Sequence, residues 1–545
     1  MNNNCLVILS LALSAVLAGC SQQNAQFVDD DGVTRLEEKS PASAEDIRTS
    51  LTAHFGTPNA LVAFGSLPLD FGSITGKVIS TENSDTLRVA LDQPSAGNLA
   101  ASAAVLTTTV NDKPVQVIRS VLSFNAASRT LTLQPAANIP ASLPDSPIEL
   151  VGHRLQRGRQ LYMQHCMHCH GVTGDGHGPT ARYIRNHRFN PLPRDYRRGE
   201  FKYKSTKGTI TASRSDLAKS IKYGIPGTYM PSFRLLEDAH LSAIVEYVRF
   251  LAMRGQFERA LLDYFKAVES PSDTTLKALD ATFSKDEVPD EQQRQQFVLL
   301  EDFFDELKEL TGEDKLARAE KLLAEQLAAR ISEALEDIAG NWTAAEDPQN
   351  LVVPTVARVK DSPESRRRGF NLFQGTVTKC TQCHGEGGRG NGFFVTTIQE
   401  DPVTKKKNDR PGIFDVWGNE VRPRDLTSGI YRGGRRPLDI FHRLSIGIAP
   451  SKMSSFANLK EIERWDIVNY VLSIPIDGAF FDEHGHQYHG GDRSHAHHDH
   501  DHDHDHDKPA DKPADKPADK PADKPADKPA DKPKTTQPKS AKDKK

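Results

Sequence analysis

Two short stretches of this chain carry residues spaced for the same chemistry. The first is Cys166-Met167-His168-Cys169-His170, followed by Gly171. The second is Cys380-Thr381-Gln382-Cys383-His384, followed by Gly385. Two cysteines three apart with a histidine directly after the second form the attachment pattern of a c-type haem. Residues i and i+3 share one face of a helical turn. Both thiols can then reach the two vinyl groups of one porphyrin while the imidazole comes under its iron. Zinc held by both pairs would leave His170 and His384 unexplained. A redox dithiol would want a βαβ setting, which is lacking.

The two sites must be held by folded segments, and the segments around them repeat. Arg157-Gly158-x-x-Leu161-Tyr162 answers to Arg368-Gly369-x-x-Leu372-Phe373. Gly171, Gly174, Gly176 and Gly178 answer at identical spacing to Gly385, Gly388, Gly390 and Gly392. Pro193-Arg194-Asp195 answers to Pro423-Arg424-Asp425, and Asp216 to Asp439. A methionine follows six residues after Gly224 and again six after Gly447, giving Met230 and Met453. Tyr247 and Tyr470 then sit on apolar-periodic helices. Of the other methionines beyond the leader, Met163 and Met167 are too near the attachment site and Met253 lies on the closing helix.

This order of helix, Cys-x-x-Cys-His, long wrap, methionine and final helix resembles a class I cytochrome c domain, present in tandem. The resemblance implies two covalently bound haem c groups, attached through Cys166, Cys169, Cys380 and Cys383. It implies His170 with Met230, and His384 with Met453, as axial ligands. It also implies that Gly158 meets Tyr247 where the first and last helices cross. A His/Met pair closes the iron and suits electron transfer. Arg194 and Arg424 suit haem propionates and equally an ion pair with the neighbouring aspartate. The basic runs from Arg194 to Lys204 and from Arg432 to Arg436 read either as solvated loops or as a docking face for an acidic redox partner.

The rest of the chain supplies address and scaffold. Residues 5–19 are apolar and end in Leu17-Ala18-Gly19-Cys20, which resembles a lipoprotein signal with Cys20 as the lipidated residue, although the first four residues lack Lys or Arg. An ordinary cleaved signal is the alternative; either exports the chain. Ser21 after Cys20 resembles outer-membrane sorting. Residues 44–55 read as a helix, and runs at 76–79, 86–91, 115–124 and 130–133 as a small antiparallel β unit. Residues 252–360 hold no cysteine or histidine. They read as helices over 257–268, 292–310 and 316–338, the last with an apolar stripe through Leu316, Leu323, Leu327, Ile331, Leu335 and Ile338. Ten histidines lie between His484 and His506, then six Asp-Lys-Pro-Ala units from Asp507. The histidines suit loose binding of divalent metal; the repeat suits an unfolded extension.

The expected fold is therefore mainly α. It comprises a signal peptide (1–19), a mixed or β module (20–150), a first cytochrome domain (151–252), a helical connector (253–360), a second cytochrome domain (361–476) and a disordered tail (477–545). A net charge of −4 gives no pull toward nucleic acid. The resemblance implies a non-enzymatic electron carrier on the outer side of a membrane. Its partners would be a quinol-oxidising complex, a terminal oxidase or a small cytochrome. The alternative is a dihaem peroxidase or the haem subunit of a periplasmic oxidoreductase, for which His177 is the one polar candidate.

Overall fold

The computed structural model describes residues 26–62, 66–92, 99, 102–110, 113–134, 144–184, 192–268, 300–400, 407–415 and 417–490. Cys20, the leader, the 269–299 stretch of the connector, the histidines beyond His489 and the Asp-Lys-Pro-Ala units lie outside them.

Two helices open the described chain, α1 (Asp31–Lys39) and α2 (Pro41–Phe55). The Asp30 side chain caps α1 by accepting from Gly32 N, which satisfies an orphan amide of the first turn. Both helices bury their apolar faces in the core of the first cytochrome domain. Phe55 packs edge-on to Phe250 with centroids 5.5 Å apart. The 20–150 segment thus has two parts, helices that complete a cytochrome domain and a separate β unit.

That β unit is a closed six-stranded antiparallel barrel. Its strands are β1 (Ser73–Thr81), β2 (Thr86–Leu91), β3 (Ala103–Val110), β4 (Lys113–Asn125), β5 (Thr130–Gln134) and β6 (Pro147–Val151). They run in the order β1-β2-β5-β4-β3-β6, with β6 returning to pair with β1. Alternate residues such as Ile74 and Val78 point into a core of their own with Leu87, Leu106 and Leu150. Closure leaves no sheet edge to be capped. β6 hands the chain directly to the first cytochrome domain, with Arg154 N donating to Phe71 O at 3.0 Å.

The first domain places α3 (His153–His165) across α6 (Asp238–Val268), with α4 (Met167–His170) carrying the attachment motif and α5 (Arg214–Tyr223) alongside. A Cβ on Gly158 would stand 2.0 Å from Ala243 O, so only glycine permits this crossing. α6 is one continuous helix. It runs through residues 252 and 253, where a boundary was expected, because nothing there breaks the helix. Gly255 inside it lies against the backbone of Arg197.

Of the helix expected over 292–310, residues 292–299 lie outside the described residues and the rest is a 3-10 turn (Glu301–Phe303) and a short helix (Phe304–Lys308); α7 (Gly312–Glu325) and α8 (Leu327–Ala344) follow. The long helix expected over 316–338 is therefore broken near Gln326. α8 returns to α6 and plants Trp342, fully buried, with Nε1 donating to Gln256 Oε1 at 2.7 Å. Leu335 and Ile338 join the same core.

The second domain repeats the arrangement with α9 (Pro363–Gln374), α10 (Cys380–His384), α11 (Pro437–Ile446) and α12 (Glu461–Asp477). Gly369 makes the matching close approach, 2.1 Å from Asp466 O for an added Cβ. Order extends past residue 477, where a disordered tail was expected. A short pair, Phe480–Phe481 with Gln487–Tyr488, folds back onto α12, and Tyr470 Oη donates to Ala479 O at 2.7 Å. Aromatic burial holds it: Phe481 lies 5.3 Å from Phe370. Among the described residues no helix is long and apolar enough to cross a membrane.

Candidate haem sites

In each domain, the attachment motif sits on a single turn whose histidine is fixed from behind. His170 Nδ1 lies 3.1 Å from the Arg194 carbonyl, and His384 Nδ1 lies 3.1 Å from that of Arg424. A carbonyl can only accept, so Nδ1 carries the proton and Nε2 keeps its lone pair for a metal. Burial keeps both rings neutral: desolvation pulls His170 down to about 4, and His384 below its ordinary value. The Pro-Arg-Asp repeat thus has a backbone role that its residue types alone did not show.

The methionine loops return over the same crevices. Gly224 and Gly447 have φ of +67° and +76°, and a Cβ at either would press on the carbonyl of Met230 or Met453 at 2.6–2.7 Å. Left-handed backbone and close approach together require glycine. Met230 and Met453 are half-buried against the cores of their own domains.

Cys166, Cys169, Cys380 and Cys383 are free thiols. Desolvation pushes Cys166 up to about 12 and raises Cys380 and Cys383. These half-buried thiols, raised by desolvation, lack the low pKa of a redox-active dithiol. Among the described residues no group of three or more His, Cys, Asp or Glu could hold a metal ion. The donor set fits haem c: two thiols on one turn, a ring nitrogen held with its lone pair free, and a thioether in the same crevice. When bound, the iron supplies a one-electron couple.

All eight of these residues line one continuous cavity of about 1450 Å³. An ordinary small-molecule site holds roughly 300–1,000 Å³. The two crevices therefore meet. The seam between the domains is closed by Lys202 with Asp415 at 3.5 Å and by Lys219 with Asp439, and the end of the connector is tied to the first domain by Val352 N donating to Ser205 O at 2.8 Å.

Arg194 is not paired with Asp195, which takes Arg197 at 2.9 Å instead. Its guanidinium lies over the Trp417 ring, 3.9 Å from the centroid, and lines the cavity. Nor is Arg424 paired with Asp425; its Nε donates to Ile430 O at 2.7 Å. The two basic runs are neither solvated loops nor an outer face where they carry Arg194, Lys202 and Arg432, since these line the cavity at the seam. His177 is exposed, sits 2.9 Å from Asp175 O and is absent from the cavity wall.

The cytochrome c family model matches residues 155–252 and 367–475. The chain therefore contains two cytochrome c domains, and its cysteine pairs imply covalent haem c in each. Cytochrome c domains of this kind imply an extracytoplasmic location. No curated protein matches the chain. Among solved structures, a chain of the Kuenenia stuttgartiensis reducing HAO-like protein complex Kustc0457/Kustc0458 is similar at 18% identity. The match covers 58% of this chain and 96% of that one, with a TM-score of 0.36, too slight to bear on fold or function.

Proposed function

We propose that this protein is a dihaem c-type cytochrome that relays electrons in an extracytoplasmic respiratory chain. His170 with Met230 and His384 with Met453 are the axial pairs. The observation that carries this reading is the shared cavity: both haem crevices open into it, so an electron accepted at one haem has a short route to the other. A simple shuttle needs one haem; two in one packed body suit a relay between a quinol-oxidising complex and a small cytochrome or terminal oxidase.

Closed His/Met ligation favours electron transfer over ligand chemistry. The ferric protein is expected to show the methionine-to-iron absorption band from both domains. Met230→Ala and Met453→Ala should each remove about half of it. A band unchanged in both variants would sink the ligand assignment. Cys20 is proposed as a lipid anchor; Cys20→Ala should release the protein from membranes, and unchanged membrane association would refute the anchor.

A further inference from the structure

The second copy carries an insertion whose partner is the first copy. The histidine and the arginine that holds it are 24 residues apart in the first domain and 40 in the second. Part of the added length forms a hairpin, Ile413–Phe414 paired with Glu420–Val421. Asp415 closes its turn: Oδ1 accepts from Trp417 N at 3.1 Å and from Asn419 N at 2.9 Å. Oδ2 faces Lys202 of the first domain at 3.5 Å. The tip of the hairpin therefore stands at the seam, and it carries Trp417. The chain has three tryptophans. Trp342 and Trp465 lie in the cores of the first and second domains, whereas Trp417 reaches from the second domain onto the first.

What it packs on is the segment that holds His170. The Arg194 guanidinium lies 3.9 Å from the centre of the Trp417 ring and that of Arg198 lies 5.8 Å from it. From the same segment, the Arg194 carbonyl accepts from His170 Nδ1 at 3.1 Å, and the Tyr196 ring stacks on the imidazole with centroids 4.8 Å apart. Residues 194–198 thus lie between His170 and Trp417. Arg197 ties the segment to Asp195 and Asp30 of its own domain. The Arg194 side chain has no such tie to a described residue. Asp415, Glu200 and Asp195 act on it from a distance, while Asp415 pairs with Lys202 and Asp195 with Arg197. Burial draws the Arg194 guanidinium below its ordinary value, and an aromatic face holds a desolvated cation more strongly than a hydrated one. The second copy differs. Arg424 is tied inside its own domain, by Ile430 O at 2.7 Å and Ser428 Oγ at 3.5 Å, although it also lies beside Gly227.

We propose that Trp417 is a positioning residue for the first haem, supplied by the second domain: it holds residues 194–198 against His170 and so sets the hydrogen bond behind that ligand. This role rests on the dihaem reading above and adds to it a residue that tunes one haem and not the other. A histidine whose Nδ1 proton is held by a carbonyl is a more basic ligand. A more basic ligand favours the ferric state, so loosening the carbonyl raises the potential.

The dihaem reading and the role of Trp417 fail differently. Pyridine haemochrome on the purified full chain counts the haems, and fewer than two overturns the dihaem reading itself. With two present, the potential of each haem is followed by its own ferric methyl resonances in the wild type and in Trp417→Ala. The reduction equilibrium constant of the first haem should rise roughly threefold, about 30 mV at about 59 mV per decade, while that of the second stays where it was. The Nδ1 proton of His170 should exchange with deuterium faster. Trp417→Phe returns a ring face to the guanidinium and should bring both readings back. Trp417→Leu, which fills the space without such a face, takes the place of Trp417→Ala if that variant loses haem. A first haem that does not move, that moves downward as entry of water would make it, or that moves together with the second overturns the role of Trp417. So do an unchanged exchange rate at His170 and a failure of Trp417→Phe to restore it.

Discussion

The two cytochrome domains are copies with the same crevice and different surroundings. In both, an Arg carbonyl holds the histidine at 3.1 Å and a glycine lets the methionine loop close. What packs behind the histidine differs. His170 stacks on Tyr196 with centroids 4.8 Å apart, whereas the matching residue of the second copy is Leu426. Tyr162 Oη donates to Gly171 O at 2.8 Å where Phe373 has no hydroxyl to offer. The cores differ more. The first draws in α1, α2 and α8; the second is completed by its own hairpin after α12. Repetition has kept the parts that touch the haem and let the outer packing drift. The first domain depends on distant sequence and the second largely does not.

The strongest break in that comparison is Trp342→Ala. Removing a fully buried tryptophan costs about 3–5 kcal/mol, and Trp342 lies in the first core. In a urea titration resolved by the haem band of each domain, the first transition should move to lower urea. Equal movement of the second would show that the two cores are not independent. Gly158→Ala and Gly369→Ala place the same fault in both copies, a methyl about 2 Å from a backbone carbonyl. Each should cost about 1–3 kcal/mol in its own domain. A harmless Gly158→Ala would mean that the first crossing is looser than the second.

Most of the functional frame was legible because haem attachment needs fixed residue types at fixed spacing. The cysteine pairs, the histidines, the methionine six residues after a glycine and the Gly–Tyr helix crossing all rest on short local patterns. Asp216 and Asp439 aligned in sequence, and each proves to sit in the first turn of its own helix, accepting from the backbone N of the residue just before it, Ser213 or Arg436. The β unit was legible as strands but not as a barrel. Ala103–Val110 opens on small residues and Pro147–Val151 is a short run that opens on proline, so neither stood out as a strand, and closure is a long-range pairing. The seam was not legible at all. Arg194 read equally as a haem-propionate contact or a surface ion pair, and Arg432 as part of a solvated loop or an outer docking face, because a basic residue in a turn-rich run is ordinarily solvated. Only the facing of one domain against the other turns that charge inward.

A smaller effect is expected from making one histidine's surroundings like the other's. Tyr196→Leu copies the second domain into the first and removes a stack worth about 0.5–1.5 kcal/mol beyond lost area. The first urea transition should fall by at least that much, with the haem count unchanged. An unmoved transition would mean that the aromatic neighbour of His170 adds no stability over leucine.

A last difference concerns Lys204, which stands where the second copy has Gly434. Its Nζ donates to Gly208 O at 2.7 Å and also to the Ile210 carbonyl. Desolvation lowers it to about 8 from an ordinary 10.5, against the opposing pull of Asp216 and Glu200. A lysine whose folded value is depressed binds fewer protons in the native than in the unfolded state, so stability rises with pH between the two values. Below about 8 the penalty for burying the charge is fully present; it is relieved as pH climbs toward 10.5. The first domain should therefore gain stability across that window, and Lys204→Met should flatten the gain. The second domain has no lysine at this place and should lack that part of the slope. If the slope of the first domain survives Lys204→Met unchanged, the charge at this position is not desolvated and the difference between the copies here is one of shape alone.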